Sequence, residues 1–423
     1  MIEKSLKDTD LGQIPQDWVI KAIRQLCSLH GRIGFRGYTK ADLVKKGFGA
    51  ISFSPSDIHN QVIDYSDCDY ISFYKYEESP EIKVFNGDII FCKTASIGKC
   101  AFIEGLTEKA TINPQLVVIN SFQCDPKFLY YKLIESGFQN RVLSITGGST
   151  IPTMSQEKLY DLQMCVPVDN REQRRISEAL SDIDKLIAAL DKKIEKQKMI
   201  KQGVMQELLT GKRRLEGFSE PWIEKNLGKS TSIKARIGWQ GLKTDEYQDA
   251  GSYSLITGTD FINGRIEWKQ CHYVSKERYT QDHNIQIQKY DVLVTKDGTI
   301  GKVAFLDEIP GPGTLNSGIF VIRTKDSDIS QRYLAKVFVS KYFDDFIDSI
   351  VAGSTIVHLY QKDIIKFNFR VPPTISEQEK ICEVLESIDK QIVQLEMKHK
   401  KYANLKQGMM QQLLTGRIRL RYM

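Results

Sequence analysis

A chain of 423 residues with 41% apolar side chains is long enough for two or more domains and apolar enough to bury their cores, which excludes a disordered protein. Its 59 basic and 53 acidic residues leave a net charge of +6, too mild to name a nucleic-acid partner, so any such argument rests on local clusters. No apolar run approaches the roughly 18 residues that a bilayer crossing needs, and the start MIEKSLKDTD lacks a signal-peptide core, so a cytoplasmic protein is expected.

From the N-terminus, residues 1–168 hold short β-branched and aromatic runs broken by glycine, such as Asp88-Ile89-Ile90-Phe91-Cys92 and Leu116-Val117-Val118-Ile119. These read as strands, and with short helical stretches such as Pro126 to Glu135 they predict a mixed α/β domain. Over residues 169–211 the period changes. Ile176, Leu180, Ile183, Ile187, Leu190, Ile194, Gln197, Lys201, Val204 and Leu208 step by three and four, which is the seam of a coiled coil. Pro167 ends the preceding strand, Glu172-Gln173 places an acid in the first turn where the helix dipole favours it, and Gly211 stops the helix.

Residues 212–373 return to the strand pattern, and residues 374–416 to the helical one. There Pro372-Pro373, Glu377-Gln378 and Gly416 bracket a second seam of Ile381, Leu385, Ile388, Ile392, Leu395, His399, Tyr402, Lys406, Met409 and Leu413. A short C-terminal tail, 417–423, follows.

The two halves are copies of one plan. Asp182-Ile183-Asp184-Lys185 answers Ser387-Ile388-Asp389-Lys390, and Gln202 to Gly211 answers Gln407 to Gly416, both 205 residues apart. Weaker matches at offsets of 202 to 205 fill the rest: Arg32-Ile33-Gly34-Phe35-Arg36-Gly37 with Arg236-Ile237-Gly238-Trp239-Gln240-Gly241, Lys93 to Lys99 with Lys296 to Lys302, and Gly148-Ser149-Thr150-Ile151 with Gly353-Ser354-Thr355-Ile356.

A helix of about 38 residues at 1.5 Å each is roughly 57 Å long and one-sided, so it needs a partner in water, and the other copy is the natural one. The order domain, helix, domain, helix then makes the pair antiparallel. The expected class is α+β: two mixed α/β domains joined by two long antiparallel coiled-coil helices, an internal repeat with pseudo-two-fold symmetry. A dimeric DNA reader in one polypeptide has that layout, with its half-sites spaced by the frame. The polar seam residues Gln197, Lys201, His399 and Lys406 are expected to set the register, although Lys201 and Lys406 are also places where the helices could splay.

Three paired stretches are candidates for DNA contact, each with a plain structural alternative. Arg32, Arg36, Lys40, Lys45 and Lys46, with Phe35 and Tyr38, form a basic and aromatic stretch that Lys234, Arg236, Trp239 and Lys243 repeat, with Gln240 in place of Arg36. Arginine grips guanine and glutamine adenine, so the Arg36/Gln240 difference suits two unlike targets; the alternative is a turn with a solvated basic face. Lys93, Ser96 and Lys99, with Lys296, Thr299 and Lys302, suit phosphate contact or a plain hairpin with Gly98 or Gly301 at positive φ. Ser149 and Thr150, with Ser354 and Thr355, suit backbone contact to phosphate or a plain turn.

Catalytic patterns are thin. No GxxxxGK[ST] phosphate loop occurs, and Asn113-Pro114-Gln115 does not match the Asn/Asp-Pro-Pro-aromatic element of an amine methyltransferase. The eight cysteines show neither CxxC nor zinc spacing and read as reduced, buried thiols. Asp69 with Glu81-Ile82-Lys83 imitates a nuclease metal site but is not repeated in the second half. A self-contained nuclease and a coiled-coil scaffold without DNA binding are the alternatives.

Arg-Ile-Gly-aromatic-x-Gly, Ile-Gly-Lys, Gly-Ser-Thr, the proline followed by Glu-Gln and the closing Leu-Leu-Thr-Gly, in this order and in duplicate, resemble the type I restriction-modification specificity subunits over the whole chain. The resemblance implies two target recognition domains, each reading half of a bipartite asymmetric DNA site, and spacer helices on which two methyltransferase subunits dock. Restriction subunits would join that core. S-adenosylmethionine, ATP and magnesium would belong to the partners, with no cofactor, metal or catalytic residue on this chain.

Overall fold

The computed structural model describes residues 6–146, 153–351 and 358–420, without the side chains of Phe35, Thr146, Trp239 and Val351. The chain forms two compact units, Met1–Asp191 with Met397–Met423, and Lys192–Glu396. These differ from the expected segments, because each long helix contributes to both units and the 417–420 segment belongs to the first.

In the first unit a four-stranded antiparallel sheet runs in the order Cys100–Phe102, Ile89–Cys92, Leu116–Asn120, Ser28–Gly31. Its inner strands Ile89–Cys92 and Leu116–Asn120 are apolar at successive positions because both faces are covered. Ile89, Phe91, Val117 and Ile119 join a core with the helix Pro126–Ile134 and the ends of the long helices. Ile90, Cys92, Leu116 and Val118 face a second core under the sheet Ala110–Ile112, Gly49–Phe53, Tyr70–Ser72, Leu43–Val44.

The second unit repeats this plan. Its main sheet is Thr231–Lys234, Ile319–Thr324, Val292–Thr295, Val303–Phe305, and Val292 and Val294 serve one core while Leu293 serves the other. A smaller sheet of His272–Val274, Tyr253–Ile256 and Gly313–Leu315 covers the second face. In each unit a two-stranded ribbon, Trp18–Ala22 with Gln163–Pro167 or Ile223–Asn226 with Asn368–Val371, delivers the chain into its long helix.

The long helices are Asn170–Leu209 and Ile375–Leu413, about 60 Å each at 1.5 Å per residue. In the first unit Lys406 pairs with Asp184 at 2.7 Å and His399 with Asp191 at 3.1 Å. In the second, Lys201 pairs with Asp389 at 2.6 Å, Lys198 with Glu396 at 3.3 Å, and Gln197 donates to Gln391 at 2.8 Å. Rising numbers meet falling ones, so the pairing within each unit is antiparallel. Lys201–Asp389 and Lys406–Asp184 are the same contact made twice, 205 residues apart.

The seam changes character along its length. Ile176 and Leu180, and likewise Ile381 and Leu385, enter the cores of the globular parts, together with Leu413 and Leu414 in the first unit and Leu208 and Leu209 in the second. Ile183, Leu190, Ile194, Ile388 and Ile392 are buried further along, while Ile187 and Leu395 are only half-buried. Among the described residues no helix is long and apolar enough to cross a membrane.

Candidate nucleic-acid interface

The basic stretch expected to face a ligand begins one residue after the edge strand Ser28–Gly31, and its first arginine turns inward. Arg32 is 7% exposed; its Nε and Nη2 donate to the Ile112 carbonyl at 3.2 and 3.1 Å, and its Nη1 donates to the Arg36 carbonyl at 3.3 Å. Arg236 is 2% exposed and makes the matching contacts to the Leu315 carbonyl at 2.9 Å and the Thr314 hydroxyl at 3.1 Å. Burial lowers the pKa of both guanidiniums from the ordinary value.

This corrects the expectation for Arg32 and Arg236. A buried guanidinium engaged by main-chain carbonyls does not present an open fork to guanine; it ties the loop to the parallel strand beside it. Gln240 is also buried, with its Oε1 unpartnered, so it does not lie on the surface as an adenine reader would. Arg36 keeps a half-buried guanidinium facing Glu81 at 3.6 Å. Tyr38 stacks under Arg32, 5.2 Å from its ring, and its hydroxyl accepts from Ser52 at 2.9 Å; burial raises its pKa. The Lys75 ammonium donates to the Gly37 carbonyl at 3.2 Å and holds the same loop from the helix Phe73–Glu77.

The second candidate pair is a tight turn in both units, with Gly98 and Gly301 at φ of +89° and +80°. Ser96 and Thr299 stand exposed at the tips. The lysines lie back against their own unit: Lys99 donates to the Pro55 carbonyl at 2.8 Å, Lys93 is half-buried, and Lys296 sits 5.6 Å over the Phe320 ring. The amide of Lys302, itself half-buried, donates to the Thr295 hydroxyl at 2.9 Å. Asp297, at the turn of the second unit, pairs with His358. Ser149, Thr150, Ser354 and Thr355, and the side chain of Trp239, lie outside the described residues. The nuclease-like pattern is absorbed in ion pairs, Lys83 with Glu77 and Glu81 with Arg36.

Sequence reasoning missed what the duplicated Glu-Gln pair does. Glu377 receives a bidentate fork from Arg214 at 2.8 and 2.9 Å and the Trp222 indole N–H at 3.4 Å. Glu172 receives the same fork from Arg419 at 2.5 Å on each oxygen, and Arg419 also reaches Asp17 at 2.8 and 2.9 Å. Burial works against the charge of Arg419, but the hydrogen bonds to Glu172 and Asp17 outweigh it and raise its pKa. Gln173 bridges the Asp125 amide at 2.9 Å and the Pro167 carbonyl at 2.8 Å; Gln378 bridges the Ser330 amide at 2.7 Å and the Pro372 carbonyl at 2.9 Å. Each pair therefore joins the start of one long helix to its own domain and to the segment that follows the other helix. The signal was the 205-residue spacing of Arg214 and Arg419, equal to that of the two glutamates.

Comparison with known proteins agrees with this duplicated architecture. A specificity subunit of Methanocaldococcus jannaschii, the putative type I restriction enzyme MjaX specificity subunit, is 24% identical over 99% of this chain and 98% of its own. The MjaVIII specificity subunit of the same organism is 26% identical over 70% and 71%. The fold resembles the crystal structure of the type I restriction-modification S subunit from M. genitalium, with a TM-score of 0.58 at 15% identity over 94% of this chain and 96% of that one. A chain from a type I restriction-modification system solved for its complex assembly gives 0.60 at 15% identity over 96% and 99%. The model of the type I restriction modification DNA specificity domain matches residues 15–197 and 239–407, most of the chain and both copies, and the chain belongs to that family.

Proposed function

We propose that this chain is the non-catalytic, DNA-reading subunit of a type I restriction-modification complex. Each recognition domain reads one half of a bipartite asymmetric site, and the long helices set the gap between the halves and dock two methyltransferase subunits. Restriction and translocase subunits complete the assembly. S-adenosylmethionine, ATP and magnesium act in those partners, and the complex works in the cytoplasm.

The observation that carries the reading is a repeated frame with unlike loops. The clamps Arg32 and Arg236, the turns at Gly98 and Gly301 and the two Glu-Gln pairs are duplicated, while the position beside the clamp is Arg36 in one copy and Gln240 in the other. Two alike heads would read a palindrome; two unlike ones suit an asymmetric site.

The test is to assay the purified chain alone and with its modification subunits for duplex binding, methyl transfer and cleavage. Tight, sequence-dependent binding and methylation are expected only with the partners. Cleavage by the chain alone in magnesium would overturn the reading. Deleting one heptad at facing positions of both helices shortens them by about 10 Å, close to 3 base pairs at 3.4 Å each, and should change the gap in the methylated site but not its halves.

A further inference from the structure

One surface of the first unit carries more exposed aromatic area than its fold requires. Phe48 is 74% exposed, Tyr74 78% and Phe73 45%. The register brings them to one sheet end: Gly49 pairs with Ser72, so Phe48 precedes one member of that pair and Phe73 and Tyr74 follow the other. Gly49 is obligatory there, since a Cβ would lie 2.0 Å from the Ile71 carbonyl, and the turn crosses close over the strand end.

Charges of both signs surround the rings: Lys46 faces Glu108 at 4.0 Å, Lys75 faces Glu78 at 2.9 Å and Lys109 faces Glu77 at 3.4 Å. Lys45 and Lys46 are exposed in the turn just before Phe48, and Lys109 lies 5.3 Å over the Phe73 ring. The surface is continuous with the loop of Arg36 and Tyr38 through Lys75, which sits in the same short helix as the two rings and holds the Gly37 carbonyl.

The second unit builds the three corresponding strands without them, with a single bridge at Gln248 in place of the strand Leu43–Val44. Ile51 and Ser254 occupy equivalent places in their parallel pairings, as do Tyr70 and Tyr273 in the antiparallel ones, an offset of 203. Phe48, Phe73 and Tyr74 then correspond to Gly251, Lys276 and Glu277. Packing therefore does not demand the rings. Exposed rings beside lysines that can exchange a partly exposed carboxylate for a phosphate suit a partner with a flat apolar face carried on a polyanion, which is a nucleobase out of its stack.

We infer that Phe48, Phe73 and Tyr74 form a base-stacking contact of the first recognition domain alone, holding a nucleotide that is unstacked when the duplex is bound. The inference rests on the DNA-reading function proposed above and adds an asymmetry: the first head distorts its half-site, and the second reads without this contact.

The experiment uses the full chain assembled with its modification subunits, on a duplex whose site is mapped from its modified bases. 2-Aminopurine is placed in turn at each adenine of the site and its flanks. Wild-type complex should raise its fluorescence at a position other than the base the partner modifies. Phe48→Ala with Tyr74→Ala should abolish that signal and weaken binding about 10- to 100-fold, while Tyr74→Phe should retain both. All these positions are exposed, so folding is unaffected, as the thermal transition would verify. Unchanged affinity and signal in the double alanine variant would overturn the inference and leave the function standing. Loss of modification-subunit capture with duplex affinity intact would overturn it in favour of a protein contact. Absence of duplex binding by the wild-type complex would instead sink the function itself, and this contact with it.

Discussion

Replacing Arg214 by Met should strongly destabilise the second unit. Glu377 is 1% exposed, and the fork from Arg214 supplies its counter-charge and two of its hydrogen bonds. With the arginine gone, the Trp222 indole at 3.4 Å is what remains to a buried carboxylate among the described residues. Stranding one partner of a buried ion pair costs about 3–5 kcal/mol. For a unit of this size about 1 kcal/mol shifts the midpoint by roughly 2–4 °C, so a drop of about 6–20 °C is expected in the transition assigned to that unit. Arg214→Lys keeps the charge but loses the planar fork and should fall between. Adding Glu377→Gln to Arg214→Met removes the stranded charge, retains an acceptor for Trp222 and should recover most of the loss. Differential scanning calorimetry with near-UV circular dichroism reads all four proteins. A loss below about 1 kcal/mol, or no recovery in the double variant, would refute a buried clamp, since that is the scale of an exposed pair.

Other consequences follow from particular contacts. Lys201→Asp should cost about 1 kcal/mol and Lys201→Asp with Asp389→Lys should restore most of it, because the pair is partly solvated; high salt should shrink both effects in chemical denaturation. Gln378→Leu strands the Ser330 amide and the Pro372 carbonyl, and about 2–4 kcal/mol of stability should disappear by the same measurement. Exchanging Arg36 and Gln240 should be lopsided. Arg36→Gln, at the half-buried position, should change base preference in mapped methylation, whereas Gln240→Arg must crowd a buried site and should cost about 1–3 kcal/mol in thermal unfolding. Burial pushes the thiols of Cys68, Cys124, Cys271 and Cys382 up to about 12. A group with a raised folded pKa contributes stability that is present below its unfolded value and lost as pH rises towards the folded one. Unfolding free energy should therefore decline from about pH 9 towards pH 12, and a flat profile there would contradict the burial of these thiols.

The sequence by itself determined the duplication, the class of each segment and the antiparallel sense of the helices. A 205-residue repeat and an unbroken three-four periodicity are carried by residue type alone, and two one-sided helices in one chain are natural partners for each other's apolar faces. Chain order then leaves one sense of pairing. The glycine turns were legible for the same reason, since the positive φ of Gly98 and Gly301 is a local property.

Tertiary structure decided which polar groups face outward, because burial depends on what lies across a sheet and not on the neighbours in sequence. Arg32 and Arg236 looked like exposed forks, yet the parallel strands ending at Ile112 and Leu315 place carbonyls within their reach and draw them inside. Glu172 and Glu377 looked like ordinary first-turn acids until the segment after the opposite helix brought Arg419 and Arg214 onto them. Phe48 lies 25 residues before Phe73 and 26 before Tyr74 in sequence, and they come to one sheet end because Gly49 pairs with Ser72. Periodicity fixes what a segment becomes; only the pairing of distant segments fixes which of its side chains remain available to a ligand.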